Sequence, residues 1–339
     1  MKVLFIGGTG TISSAITRTL VEMNEEVFLL NRGLRNSEFK GKVRELIVKD
    51  VNDEEELAKT VGDLQFDVVC DFIGFVKNQL ERDYRVFAGK TKQFMYISSA
   101  SAYNKPCRDY VITEGTSLAN PYWQYSRDKI ECEEFLMKMY RENGFPVTII
   151  RPSHTYCERE VPLGVHGNSG SYQVLKRMME GKKVIIHGDG TSLWTMTHNS
   201  DFAKGFIGLM NNPHAIGEAF QITSDETLTW NQIYECVAKA LGVELNPYYV
   251  SSAFLADAGK YDYTGSLIGD KANSVVFDNS KLKKAVPGLK MNVRFEEGIK
   301  STVDYVLSHK ECQIEDNEFD AWCDKVIDTL EKAKIEIKN

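Results

Sequence analysis

The N-terminal stretch VLFIGGTGTISSAI (residues 3–16) constrains the fold more than any other part of the chain. An apolar run of strand length leads into a glycine turn, and a helical pattern follows at once. Gly7, Gly10 and Ser13 are spaced G-x-x-G-x-x-S, where a third glycine would be usual. Such a turn brings the backbone close to a pyrophosphate, and the N-terminus of the next helix favours an anion. The turn therefore predicts a dinucleotide site that Ser13 weakens without removing.

The rest of the N-terminal half alternates apolar runs with helical patterns. This alternation is typical of βαβ units, and runs rich in Val, Ile and Leu indicate strands that are buried on both faces. We predict an α/β fold with a doubly wound parallel sheet and a smaller, discontinuous C-terminal α/β domain for the substrate. The predicted strands are Lys2–Ile6, Glu26–Leu30, Arg44–Val48, Asp67–Asp71, Gln93–Ile97 and Val147–Ile150, and the predicted helices include Ser13–Met23, Glu54–Val61, Tyr125–Asn143 and a charged helix from Asn317 to Lys338.

A change from alternating apolar runs and helical patterns to a glycine-rich, polar stretch at about residue 158 suggests a domain boundary. We expect a dinucleotide-binding domain over residues 1–157 and mainly a substrate-binding domain over residues 158–310. A segment at about residues 195–225 is expected to return to the first domain, and residues 311–339 are expected to form a helical extension.

Composition and charge narrow the class of protein. The formal net charge is −7, which argues against a broad nucleic-acid surface because such surfaces are normally basic. No run of about 18 apolar residues is present, and glycines interrupt the N-terminal run too early for a signal peptide. We therefore expect no membrane span and a cytoplasmic location. The 7 cysteines include no C-x-x-C pair, so neither a structural metal site nor a disulfide framework is expected.

The end of the second predicted strand bears on the choice of dinucleotide. NAD sites usually place a carboxylate there for the ribose hydroxyls, whereas this chain has Asn31 followed by Arg32. Because no carboxylate repels a phosphate and the guanidinium can bind one, NADP(H) is favoured and NAD(H) stays possible. A solvated arginine with no ligand is the alternative for Arg32. Asp50, after the third predicted strand, is a candidate contact for the adenine amino group.

A tyrosine and a lysine four residues apart form a candidate acid–base pair. Tyr125 and Lys129 would share one face of a helix. A free tyrosine has a pKa of about 10, and a nearby ammonium stabilises its phenolate form. The pair alone is a weak signal. Ser98 and Ser99 end an apolar strand upstream, where each could cap the strand or contact a ligand.

Together, the glycine turn, the strand-end serines, the Tyr-x-x-x-Lys pair and the later IIRPSHTY resemble an extended short-chain dehydrogenase/reductase of the NAD-dependent epimerase/dehydratase family, over roughly residues 1–310. The resemblance implies a Rossmann fold, a homodimer, Tyr125 as the acid/base, Lys129 as its partner and ribose contact, and Ser99 as the hydroxyl that orients the substrate. The predicted cofactor contacts are Gly7, Gly10, Thr11, Ile12, Asn31, Arg32, Asp50, Ser98, Tyr125 and Lys129. Weaker candidates for substrate contacts are Ser101, His154, Tyr156 and Trp194.

Two departures from the family narrow the reaction. Ala100 and Ser101 stand where its dehydratases carry an Asp-Glu pair, so we do not expect a dehydratase. Trp194 stands where its sugar-nucleotide enzymes carry an arginine for the diphosphate, which argues against a nucleotide sugar. Tryptophan can instead stack on a ring or line an apolar pocket. His154 could relay a proton, with a hydrogen-bonded structural histidine as the alternative.

These residues fit an NAD(P)-dependent oxidoreductase or epimerase that acts on a secondary alcohol or ketone of a sugar or sugar derivative. Return of the hydride to the opposite face gives epimerisation, and release of the ketone gives a dehydrogenase or reductase. The same residues serve both reactions. The alternatives are a non-catalytic NADP(H)-binding sensor and an RNA-binding protein, because residues 31–33 (NRG) resemble the chloroplast stem-loop binding proteins. The Tyr125–Lys129 pair and the acidic charge favour an enzyme with a small-molecule substrate and no nucleic-acid partner.

Overall fold

The structure is a computed structural model that describes residues 1–33 and 38–338. It divides into two compact units. Unit 1 consists of Met1–Thr155, Asn199–Asp225 and Phe277–Asn292. Unit 2 consists of Tyr156–His198, Glu226–Val276 and the segment from Val293 onward. The chain thus leaves unit 1 after Thr155 and enters it again twice.

Strands and helices alternate along most of the described chain. The strands are β1 (Lys2–Ile6), β2 (Glu26–Asn31), β3 (Arg44–Ile47), β4 (Phe66–Asp71), β5 (Thr91–Ile97), β6 (Val111–Ile112), β7 (Val147–Pro152), β8 (His154–Tyr156), β9 (Val184–His187), β10 (Leu193–Trp194), β11 (Met196–His198), β12 (Glu218–Ile222), β13 (Leu228–Thr229), β14 (Pro247–Val250) and β15 (Val276–Phe277). The α-helices are α1 (Ser13–Glu22), α2 (Glu54–Val61), α3 (Lys77–Phe87), α4 (Gln124–Asn143), α5 (Tyr172–Met179), α6 (Asn199–Leu209), α7 (Trp230–Leu241), α8 (Ser252–Asp257), α9 (Ser280–Ala285), α10 (Phe295–Ser308) and α11 (Asn317–Lys338).

Unit 1 is built on a seven-stranded sheet with the strand order β12-β7-β5-β4-β1-β2-β3. Neighbouring strands are parallel, and Phe5 of β1 lies between Leu29 of β2 and Cys70 of β4. The chain runs outward from β1 to β3 and then crosses to β4 on the other side of β1. Ligands of doubly wound sheets bind at such a reversal, at the carboxyl ends of the strands. The predicted α/β fold with a doubly wound parallel sheet is confirmed.

Each face of this sheet is covered by a separate apolar layer. Because successive strand residues point to opposite faces, Val3 and Phe5 enter one layer, whereas Leu4 and Ile6 enter the other. The first layer includes residues of α1 and α6, and the second includes residues of α2, α3 and α4. Burial on both faces explains why the strands read as continuous apolar runs in the sequence.

The predicted elements of unit 1 agree closely with the structure. All six predicted strands and the three predicted helices are present, and their ends differ by at most two residues. The structure adds α3 (Lys77–Phe87), which the sequence analysis did not identify.

Unit 2 contains smaller sheets and a long C-terminal helix. Strands β9 and β14 pair in parallel, and β10 pairs with β13 in the antiparallel sense. The predicted charged helix is α11, with the same bounds. It packs on α5, where the guanidinium of the buried Arg177 donates to Asp320 Oδ1 at 2.6 Å and to Asp324 Oδ1 at 2.7 Å.

No helix in the described part of the chain is both long enough and apolar enough to cross a membrane.

Candidate active site

The glycine turn joins β1 to α1, and Ser13 closes it from within. Ser13 Oγ donates to the Gly7 carbonyl at 2.9 Å and accepts from the Gly10 N–H at 2.9 Å. Thr17, one helical turn later, donates to the Gly8 carbonyl at 3.0 Å. Gly7 has a φ of +86°, a conformation in which a side chain is strained. Ser13 therefore replaces the usual glycine with a side chain that fixes the shape of the turn.

A cavity of about 360 Å³ lies beside this turn in unit 1. This volume is within the usual range for small-molecule sites. Its lining contains five of the predicted cofactor contacts and several apolar side chains, namely Gly7, Gly10, Asn31, Arg32 and Asp50 together with Leu30, Val48, Val51 and Ile73. Thr11 and Ile12 lie between Gly10 and the first residue of α1.

The polar side chains of the lining shape the loops that follow β2 and β3. Asn31 Oδ1 accepts from the Gly33 N–H at 2.6 Å. Asp50 Oδ1 accepts from the backbone N–H of Asn52 at 2.9 Å and from its side-chain amide at 3.0 Å. Arg32 is exposed and is the basic residue of the lining. The loop geometry thus depends on Asn31 and Asp50, while Arg32 supplies positive charge.

Lys129 is buried in α4, one turn after Tyr125. Its ammonium donates to the carbonyl of Gly74 at 2.7 Å and to the carbonyl of Ile97 at 2.8 Å. The nitrogen lies 5.8 Å from the centre of the Tyr125 ring and 4.9 Å from that of Phe75. Burial lowers the pKa of Lys129 to about 8. The charge that would stabilise a phenolate at Tyr125 is therefore lost as the pH rises through this value.

Three serine hydroxyls connect the end of β5 to the start of α4. Ser126, the residue after Tyr125, donates from Oγ to Ser101 Oγ at 2.8 Å. Ser101 Oγ lies 2.9 Å from Ser99 Oγ. Since Ser101 accepts from Ser126, its own proton is free to bind Ser99, which leaves the Ser99 proton for another acceptor. The arrangement leaves the Ser99 hydroxyl able to donate a further hydrogen bond.

Ser98 is the residue that directly follows β5. Its backbone N–H donates to the Ile150 carbonyl at 2.7 Å, which continues the ladder between β5 and β7. Its Oγ is buried and has no hydrogen-bond partner among the described residues. A buried hydroxyl without a partner is costly, so this atom fits contact with a bound polar ligand.

The remaining predicted substrate residues lie on either side of the division between the units. His154 begins β8 in unit 1, and Tyr156 ends it in unit 2. Within unit 2, the buried Tyr156 ring is edge-on to Phe295 at 5.4 Å. Trp194 is also buried in unit 2, with its ring centre 5.7 Å from that of Trp230. Tyr156 and Trp194 thus both take part in aromatic packing.

The segment from Asp71 to Gly74, which provides one of the two acceptors of Lys129, was not identified from the sequence. Asp71 ends β4, and its Oδ1 accepts from the N–H groups of Ile73 at 2.8 Å and Gly74 at 2.9 Å. The Gly74 carbonyl then accepts from Lys129 and, at 3.1 Å, from the hydroxyl of Tyr96. The available signal was a carboxylate at the end of the otherwise apolar run VVCD.

The chain matches the family model described as "NAD dependent epimerase/dehydratase family" over residues 3–223. Because the match covers more than half of the chain, the protein belongs to this family. The resemblance stated from the sequence motifs is therefore confirmed. The protein is an NAD(P)-dependent enzyme of the extended short-chain dehydrogenase/reductase type.

Relatives of known description fall into more than one functional class. The chain is 24% identical over 257 residues to 2'-dehydrokanamycin reductase of Streptomyces kanamyceticus, which covers 76% of this chain and 71% of that protein. It is 26% identical over 254 residues to the chloroplast stem-loop binding protein of 41 kDa b of Arabidopsis thaliana, and this match covers 71% of this chain and 63% of that protein.

Among solved structures, the chain is similar to dTDP-glucose 4,6-dehydratase from Bacillus anthracis, which was solved in complex with NAD. The TM-score is 0.72 at 18% identity, and the match covers 92% of this chain and 98% of that one. At this identity the likeness shows a shared fold.

The contacts of Ser13 lead to a first prediction. Ser13→Ala removes the partners of Gly7 and Gly10, so we expect the free energy of unfolding to fall by about 1 kcal/mol and the affinity for NADH to fall with it. Urea unfolding and NADH fluorescence titration measure the two effects. Ser14→Ala is the matched control, because Ser14 is the next residue of the same helix and takes no part in these two hydrogen bonds. Equal losses in both variants would contradict the role of Ser13.

Proposed function

We propose that this protein is an NAD(P)-dependent oxidoreductase or epimerase that acts on a secondary alcohol, or the corresponding ketone, of a sugar or sugar derivative. The observation that carries the proposal is the placement of Tyr125 beside the buried ammonium of Lys129. The hydroxyl chain to Ser99 starts from the neighbouring residue of the same helix. Acid–base chemistry on an alcohol uses a proton carrier, a positive charge that tunes its pKa and a hydrogen-bond donor for the substrate oxygen, and Tyr125, Lys129 and Ser99 would supply these three functions.

The residues of unit 1 fit a nicotinamide dinucleotide. The cavity beside the glycine turn and the Ser98 hydroxyl without a partner are the observations that support the fit. Gly7, Gly10, Thr11 and Ile12 would hold the pyrophosphate, Asn31, Arg32 and Asp50 the adenosine end, and Ser98, Tyr125 and Lys129 the nicotinamide end. When bound, the nicotinamide supplies the acceptor and donor of the hydride.

The side chains supply the proton chemistry of the reaction. In oxidation, Tyr125 as phenolate takes the proton of the substrate hydroxyl while the carbon loses hydride. In reduction, Tyr125 as phenol returns that proton to the oxygen. Lys129 favours the phenolate through its positive charge. Ser99 donates a hydrogen bond to the substrate oxygen, where negative charge develops in the transition state.

The choice of dinucleotide rests on two observations that point in different directions. The structural neighbour from Bacillus anthracis was solved with NAD, which favours NAD(H) for this chain. The prediction of NADP(H) rests on Arg32 in a lining that has Asn31 where a carboxylate is usual. We propose NAD(H) as the dinucleotide of the site and Arg32 as the residue that decides how well NADP(H) is accepted.

The proposed substrate class rests on the absence of a positive charge at position 194. Trp194 occupies the position at which the family's sugar-nucleotide enzymes carry an arginine, and its ring packs on Trp230 within unit 2. We propose that unit 2 selects a sugar that has no nucleotide diphosphate. The similarity to a reductase of the sugar-containing kanamycin series supports this substrate class.

An RNA-binding function is the competing proposal, because a stem-loop binding protein is among the relatives. A binding protein has no use for Tyr125 and Lys129 as a pair, whereas an oxidoreductase requires them. We therefore propose that nucleic acid is not a partner. A homodimer and a cytoplasmic location stay predictions, and light scattering after size-exclusion chromatography tests the first.

Replacing the tyrosine tests the reaction. Tyr125→Phe removes the acid/base hydroxyl, so we expect turnover to fall at least about 100-fold with little change in NADH affinity. Turnover is measured with NADH on a panel of sugar ketones, aminoglycoside ketones and sugar nucleotides. Tyr122→Phe is the matched control on an exposed ring three residues away. Full activity of the Tyr125 variant would show that the acid/base lies elsewhere.

Replacing the arginine tests the dinucleotide. Arg32→Ala removes the positive charge of the lining, so we expect NADPH affinity to fall roughly 10- to 100-fold, the loss of one charge-assisted contact. NADH affinity should change little, because NADH lacks the 2'-phosphate on the adenosine ribose. Fluorescence titration of both dinucleotides provides the comparison. Equal losses would show that Arg32 does not contact the phosphate.

A nucleotide probe tests the substrate class. If the substrate has no nucleotide diphosphate, UDP and dTDP should leave the thermal unfolding temperature of the protein unchanged at millimolar concentration. NADH, which binds the folded state, should raise it. A rise with UDP that matches the rise with NADH would contradict the proposed substrate class and support a nucleotide sugar.

A further inference from the structure

Two aspartates that the proposed reaction does not use lie buried behind Lys129. Asp71 ends β4 and Asp83 lies in α3, and both are fully buried. The Asp71 side chain raises the pKa of Asp83 both through its charge and through a side-chain hydrogen bond, so the two carboxyl groups are neighbours. In each residue, Oδ2 is buried and has no hydrogen-bond donor among the described residues.

The other oxygen of each carboxyl group is fully used. Asp71 Oδ1 accepts from two backbone N–H groups, those of Ile73 and Gly74. Asp83 Oδ1 accepts from Arg82 Nε at 2.9 Å and from Arg82 Nη2 at 2.7 Å. The hydrogen-bond donors in the vicinity therefore bind the two Oδ1 atoms, and neither Oδ2 atom receives a hydrogen bond from them.

If both aspartates were ionised, their two Oδ2 atoms, which receive no hydrogen bond, would repel each other in a region that excludes water. A single proton between them removes one charge and gives both oxygens a partner. We propose that Asp83 carries this proton at neutral pH and donates it in a hydrogen bond to Asp71 Oδ2. Asp71 then remains the carboxylate of the pair.

Burial raises the pKa of Asp83 well above its usual range, and the charge of Asp71 raises it further, against the opposing effect of Arg82. The burial of Asp83 and the charge of its neighbour therefore place the proton on Asp83.

The pair acts on Lys129 through Gly74. Asp71 binds the Gly74 N–H, and the Gly74 carbonyl binds the Lys129 ammonium. A Cβ on residue 74 would overlap Asp71 Oδ2, so the loop has no room for a side chain at this position. Asp71 and Asp83 are therefore positioning residues for Lys129, a role that rests on the proposed function of that lysine.

The proton also sets the charge behind the site. With Asp83 neutral, the pair of aspartates carries one negative charge, while Arg82 binds Asp83 and the ammonium of Lys129 lies within the influence of Asp71. The excess of positive charge favours a phenolate at Tyr125. The other ionisable groups that act on Lys129 are Cys132 and Glu133 of α4, and Glu133 is paired with Arg151. The Tyr96 hydroxyl, from β5, donates to Gly74.

The same hydrogen bonds reach the dinucleotide cavity. Arg82 Nη1 donates to Asn52 Oδ1 at 3.1 Å, and Asn52 lines the cavity and binds Asp50. A continuous polar chain thus runs from the cavity lining through Arg82, Asp83 and Asp71 to the loop that holds Lys129.

Infrared spectroscopy of the complete wild-type protein tests the proton directly. In D₂O at pD 8, ordinary carboxyl groups are ionised. The difference between protein labelled with [4-¹³C]aspartate and unlabelled protein should show the C=O stretch of a protonated aspartic acid. The band should be absent from Asp83→Asn and present in Asp67→Asn, a control on the same strand whose carboxylate is paired with Lys92. Absence of the band from the wild type would overturn the proposal.

The asparagine in Asp83→Asn can accept from Arg82 and donate to Asp71, as the proposed neutral acid does. We therefore expect this variant to fold with an unfolding temperature close to that of the wild type. A variant that fails to fold, or that melts as low as Asp71→Asn, would contradict a neutral Asp83.

A pH profile tests the effect on Lys129 and depends on the proposed reaction. Activity should fall as the pH rises through about 8, because the ammonium is lost there. Asp71→Asn removes the nearby negative charge, so the alkaline limb should move down by about 1 pH unit, while Asp83→Asn should leave it in place. A purely structural role would lower activity without moving the limb. Because the infrared result needs no turnover, it can fail or succeed independently of the proposed function.

Discussion

The site depends on the two hydrogen bonds that the buried ammonium of Lys129 donates to backbone carbonyls. The two acceptors come from different strands: Ile97 ends β5, and Gly74 follows the end of β4. These carbonyls meet because β4 and β5 are parallel neighbours, so that their carboxyl ends lie at the same edge of the sheet. Helix α4 then brings Lys129 to that edge and places Tyr125 one turn earlier. A displacement of either strand would separate the lysine from an acceptor while its charge is buried, which is costly.

Motifs with local geometry could be recognised in the sequence. Tyr125 and Lys129 share a helix face because of helical spacing alone, and the strands of the sheet are visible because burial on both faces requires continuous apolar runs. The glycine turn was equally readable, although the role of Ser13 was not. Its hydroxyl gains its meaning from two backbone partners that are brought to it only by the folded turn.

Features that depend on contacts between distant parts of the chain could not be predicted from the sequence. Asp83 is polar in a helix, which ordinarily indicates solvent exposure, yet it is fully buried against a strand end twelve residues earlier. The preference for NADP(H) rested on two adjacent residues, Asn31 in place of a carboxylate and Arg32 as a phosphate ligand, and it gains no support from the structural neighbour, which was solved with NAD. In unit 2, the sequence departs from the family motifs that identify a substrate, so Tyr156 and Trp194 were identified by their position in the sequence alone. Both rings pack on other aromatic side chains.

We propose that unit 1 binds a nicotinamide dinucleotide with its reactive end at Tyr125 and Lys129. A crystal structure of the protein with NADH tests it most directly. We expect the pyrophosphate at the turn from Gly7 to Ile12 and the adenosine in the cavity of Asn31 and Asp50. The nicotinamide ribose should lie at the ammonium of Lys129, with Tyr125 facing the nicotinamide. A dinucleotide bound elsewhere, or one whose nicotinamide lies away from Tyr125, would contradict this proposal.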